Sequence, residues 1–152
     1  MDNEKTIEVL NSLVQINNDR IEGYKTATKE TEEQDLETMF AQFAKTSEKN
    51  KQELSAEIIR LGGTPTDGTK DSGKFFRLWM DVKAALTGKD RKAILNSCEF
   101  GEDQALDTYD EVQEKEAEHL NAEQRTMIDA QYDLLKVDHN TVKTMRDALV
   151  EA

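Results

Sequence analysis

Pro65 is the only proline in 152 residues, and Gly62, Gly63, Gly68 and Gly73 crowd around it. These two residue types are the ones that most readily end a helix, and one proline with seven glycines in the whole chain points to long, uninterrupted helices. The apolar residues agree. From about Asn3 to Lys29, Ile7, Leu10, Val14, Ile21 and Tyr24 form one stripe at helical spacing. From about Gln34 to Leu61, Leu36, Phe40 and Phe43 are followed by Leu54, Ile58 and Leu61, and Gly62-Gly63 supplies a C-terminal stop. A third segment runs from about Asp90, an N-cap residue, to Glu118, with Leu95, Cys98, Ala105, Tyr109 and Val112 inward. The fourth starts near Asn121 and carries Ile128, Leu135, Val142, Met145 and Leu149.

Four amphipathic helices of similar length, roughly 40 Å each at 1.5 Å per residue, bury their stripes most simply against one another. The links between segments one and two, near Thr31, and three and four, near Leu120, are too short for anything but antiparallel neighbours. The link from about residue 62 to residue 90 is long enough to travel the length of a bundle. The expected fold is all-α. It is a single domain over residues 1–152, an up-down-down-up four-helix bundle with one long crossover between helices two and three. Within that crossover, KFFRLWMDVKAALTG predicts a short extra helix with Phe75, Trp79, Val82 and Leu86 on its apolar face. Phe75, Phe76 and Trp79 are a heavy apolar load for a connector, and mark it as a candidate interface that seals the bundle or meets another subunit.

The formal net charge is −12, which argues against nucleic acid and against anionic membrane surfaces as partners. No apolar run approaches the length of a bilayer span. MDNEKTIEVLNSL has neither a basic leader region nor a continuous apolar one. The single cysteine, Cys98, has no partner for an internal disulfide. A reducing cytoplasm is the expected location.

Each apolar stripe is interrupted near its middle by polar residues. Asn17 breaks the first, Ser47 and Asn50 the second, Glu102 (with Glu99 one turn earlier) the third, and Gln131 and Asp138 the fourth. Counted from the hairpin turns, these breaks fall in one layer across the bundle centre. An unpartnered buried polar group costs roughly 1–3 kcal/mol, and an unpaired charge more. No lysine or arginine falls on the inward stripes near the layer, so the expectation is that Glu102 and Asp138 lack an internal basic partner. Sharing a proton, admitting water and binding a metal are then the available solutions.

The one-crossover pattern, the second helix ending in LGG and the polar mid-layer resemble the ferritin-like superfamily. More narrowly, LNSLVQINNDRIEGY, EIIRLGG-TP, FRLWMDVKAAL, CEFGEDQALDTYDEV and QYDLLKVDHNTVKTM resemble a bacterial family of ferritin-like four-helix-bundle domains of unknown function. The resemblance covers nearly the whole chain and implies the fold but no particular reaction. Di-iron members of the superfamily carry one glutamate on each of two helices and Glu-x-x-His on the other two. In this chain the second-helix motif falls on Ser47 and Asn50, and the first-helix glutamate falls near Asn17 or Asn18, none of which matches. The third-helix carboxylate falls on Glu99, which matches. Near the fourth-helix site His139 is present, with Lys136 in place of the glutamate. Most of the ligands are absent. The residues left for a divalent metal are Glu99, Glu102, Asp138 and His139, with Asn17, Ser47, Asn50 and Gln131 as the surrounding polar layer.

The remaining motifs carry less. Glu116-Ala117-Glu118-His119 spells Glu-x-x-His but lies at a helix end, and Cys98 reads as a small buried hydrophobe. No Ser-His-Asp set, phosphate-cradling glycine loop or zinc spacing is present. The expectation is a non-catalytic bundle with no cofactor, stress-associated by superfamily analogy. It would act as a homo-oligomer or through a protein partner. The alternative is a metal-binding or redox-active protein with a degenerate centre.

Overall fold

The computed structural model describes residues 3–68, 84, 86 and 90–151. Among these there are four long helices and no strand: α1, Asn3–Glu30; α2, Gln34–Arg60; α3, Arg91–Lys115; and α4, Ala122–Glu151, with a 3₁₀ turn at Ala117–His119 before α4. No described helix is long and apolar enough to cross a membrane. Phe75, Phe76, Trp79 and Val82 lie outside the described residues. Leu86, the last residue of that expected apolar face, is buried.

The helix ends follow from local chemistry. Gly62 adopts φ 87°, a left-handed conformation that glycine enters without a Cβ penalty. This lets the Gly63 N–H reach back to the Ile58 carbonyl at 2.9 Å and the Gly62 N–H to Ile59 at 3.0 Å, closing α2. Asp90 caps α3 by accepting from the Ala93 N–H. Asn121 and Gln124 bond reciprocally, side chain to backbone, at 2.8 and 2.9 Å, so α4 starts on a capping box.

Helix directions can be read from contacts. Asn17 meets Asn50 and Arg20 meets Ser47, so α1 and α2 are antiparallel. Tyr109 meets Gln131 and Asp103 meets His139, so α3 and α4 are too. The buried apolar side chains form two clusters rather than one. The first gathers Leu10, Leu13, Leu54, Ile58, Tyr109, Ile128 and their neighbours. The second gathers Tyr24, Leu36, Phe40, Phe43, Leu95, Cys98 and Val142 with Leu86. Between the two lies the polar middle of all four helices.

Candidate functional site

Asn17, Ser47, Asn50, Glu102, Gln131 and Asp138 are all buried, as are Asn18, Arg20 and His139. They form two adjoining sets. In the amide-rich set, the Asn17 amide donates to Tyr109 Oη at 2.9 Å, and Tyr109 donates to Gln131 Oε1 at 2.7 Å. Gln131 donates in turn to Glu53 Oε1 at 3.1 Å, and Asn50 approaches Asn17 Oδ1 at 3.4 Å. Four helices are thus joined by side-chain amides and one phenol.

The charged set corrects the expectation that Glu102 and Asp138 have no internal basic partner. Arg20, 4% exposed, lies between them. Its guanidinium donates to Glu102 Oε1 at 2.7 Å, to Asp138 Oδ2 at 3.2 Å and to Ser47 Oγ at 2.5 Å. Tyr24 Oη adds a second donor to Glu102 Oε1 at 2.7 Å. Arg20 also stands 5.4 Å from the Tyr24 ring and 5.9 Å from the Phe43 ring, within cation–π range. The physical reason for the miss is side-chain reach. Ile21 fits the apolar stripe and is only half-buried, while Arg20 turns its long stem inward. Leu10, Leu13, Asn17, Arg20 and Tyr24 follow a 3-4-3-4 spacing, and that alternation was the available signal.

The electrostatics follow from this placement. Burial works against the Arg20 charge, but Glu102, Tyr24 and Asp138 around it hold the guanidinium firmly protonated, above its ordinary range. Burial, then Glu102, pushes the Tyr24 phenol up. Burial likewise raises Asp138 above the usual carboxylate range, with Arg20 opposing and Glu102 adding to the shift. A carboxyl raised in the folded state contributes stability below its unfolded value, roughly pH 4, and loses it as pH rises through the folded value. Asp138→Asn should therefore leave stability at pH 7 unchanged or raise it by about 1 kcal/mol, because Arg20 keeps Glu102. The difference from the parent should shrink on acidification toward about pH 4. Urea titrations across that range would show it, and a loss above about 2 kcal/mol at pH 7 would contradict it.

Glu99 and His139 lie elsewhere, at the α3–α4 seam. One ligand atom from each of Glu99, Asp103 and His139 falls within 4.8 Å of the other two. His139 Nε2 is 2.7 Å from Asp103 Oδ1, and Glu99 is ion-paired with Arg146. The four residues expected around a metal are thus divided: Glu102 and Asp138 with Arg20, Glu99 and His139 with Asp103. Asp103 was missed because it sits on the exposed side of α3. Asn18 has a different task. Its amide donates to the carbonyls of Thr66 and Gly68 at 3.2 and 3.0 Å, and Asn11 bonds Thr64 and Thr66, tying the start of the crossover to α1. His119 ends in the 3₁₀ turn, 3.7 Å from Glu116 and 3.5 Å from Glu118.

A protein-family model described as Domain of unknown function (DUF2383) matches residues 5–115 of the sequence. No curated protein matches it.

Proposed function

Since the chain belongs to the family Domain of unknown function (DUF2383), whose description names no reaction, we propose from its own geometry a non-catalytic helical bundle that acts by self-association or by binding a protein partner. The observation that carries this reading is Arg20. At the bundle middle, between carboxylates from two other helices, a guanidinium supplies the positive charge that a metal would otherwise supply. Glu102 and Asp138 are committed to it.

The fold reading behind this is a single ferritin-like domain of the bacterial kind with up-down-down-up order. Two observations support it. Arg91 at the start of α3 pairs with Glu33 and Asp35 at the start of α2, at 3.2 and 2.5 Å, so those two ends are neighbours. Asn17 meets Tyr109 and Tyr24 meets Glu102, so α3 runs against α1 as α2 does. The crossover would then return along the bundle, with its extra helix and the Phe75, Phe76 and Trp79 face as a subunit contact. A cytoplasmic, stress-associated role follows the same analogy.

A second reading is favoured by the seam cluster. An imidazole and two carboxylates suit a divalent ion such as Mn²⁺, Fe²⁺ or Zn²⁺, provided Glu99 leaves Arg146. Titration calorimetry with Mn²⁺ and Zn²⁺ on protein purified without chelators decides between the two. The non-catalytic reading expects no stoichiometric binding. Binding that His139→Ala and Asp103→Asn abolish, while Asp138→Asn leaves it intact, would move the protein into the metal-binding class.

A further inference from the structure

Helix α4 carries two apolar stripes side by side. Ile128, Leu135 and Val142 point inward and are fully buried. Leu134, Val137, Thr141 and Met145 line a cleft of about 720 Å³ against Met39 and Phe43 of α2. Val137 is 62% exposed and Leu134 37%, so this second stripe is open to solvent. From Leu134 to Met145 it spans three helical turns, about 16 Å. A cleft lined along that length of α4, with methionines that can adapt to what lies on them, suits an amphipathic helix anchored at i, i+3/4 and i+7.

The charges select the kind of helix. The cleft is also lined by Asp35, Glu37 and Asp138, against Lys45 alone among its described cations. Asp35 is held by Arg91. Asp138 shares one guanidinium with Glu102, and Glu37 is exposed, so the cleft carries surplus negative charge. The chain as a whole carries −12, which favours a cationic partner over a second copy at this cleft. Resting on the partner-binding reading above, we propose that the α2–α4 cleft docks a basic amphipathic helix of a partner protein. Its apolar face lies over Met39, Phe43, Leu134 and Val137, and one lysine or arginine reaches the exposed Glu37.

The test uses a fluorescent peptide of leucine and lysine, about fifteen residues long, in helical amphipathic order. Its isomer has the same composition reordered to remove the helical period, so that general attraction to an acidic protein is held constant. Anisotropy titration of the full chain should show the amphipathic peptide binding at least about tenfold more tightly than the isomer. Val137→Glu, at an exposed position that folding tolerates, should erase that preference. Phe100→Glu, on the exposed face of α3, should keep it. Equal binding of the two peptides, or a preference that survives Val137→Glu, overturns the proposal. A dimer in sedimentation that Val137→Glu dissociates also overturns it, by assigning the cleft to a second copy. None of these readouts involves metal, so their failure is distinct from failure of the non-catalytic reading.

Discussion

Arg20→Met is expected to cost about 3–5 kcal/mol of folding stability near neutral pH, because it strands two buried carboxylates without a cation. Methionine keeps the apolar stem but none of the bonds to Ser47, Glu102 and Asp138. A domain of this size is stable by about 5–15 kcal/mol in total, so the variant should unfold at a much lower urea midpoint. The cause can be isolated. Adding Glu102→Gln and Asp138→Asn removes the stranded charges and should recover most of the loss, since an ion set replaced as a whole is often close to neutral. If Arg20→Met alone loses less than about 1 kcal/mol, or the triple variant recovers nothing, the guanidinium does not hold the middle of this bundle.

Phe43→Ala should be comparably damaging, at about 3–5 kcal/mol. The ring is 2% exposed and meets Tyr24 edge-on with centroids 5.2 Å apart. Truncation opens a cavity in the second apolar cluster and also removes the support that keeps the Tyr24 phenol on Glu102. A fall in melting temperature of roughly 10 °C or more corresponds to this loss. A change of only a degree or two in calorimetry would mean that the cleft beside Phe43 collapses to fill the space.

Both predictions rest on residues that differ in how openly the sequence declares them. Phe43 lies on a clean apolar period, and the helix bounds around it fall within a few residues of those the period predicts. The polar middle is legible too, since Asn17, Ser47, Asn50, Glu102, Gln131 and Asp138 each break an apolar stripe and each is buried. What the period does not carry is partnership. Arg20 sits one residue from Ile21, about 100° around the helix, and only its long flexible stem brings the charge inside. The separation of Glu102 and Asp138 from Glu99 and His139 depends on rotations of α3 and α4 too small to read from counting out of turns. Asn18 lies near an expected ligand position, yet its amide holds loop carbonyls that no helix pattern foretells. Leu149, in the last turns of α4, continues the inward spacing but is 37% exposed.

The lone thiol gives the second apolar cluster one more property. Cys98 is 3% exposed, and burial, followed by the nearby Glu102 charge, pushes its pKa far above the ordinary thiol range. An alkylating reagent therefore meets neither an accessible sulfur nor a thiolate while this end of the bundle is closed. Labelling of the intact protein must wait for the helices around Tyr24, Phe40 and Leu95 to part. When closing is fast compared with alkylation, the labelling rate divided by that of a free thiol equals the open fraction. The chain thus carries its own gauge of how often this end stands open, with no probe to be introduced.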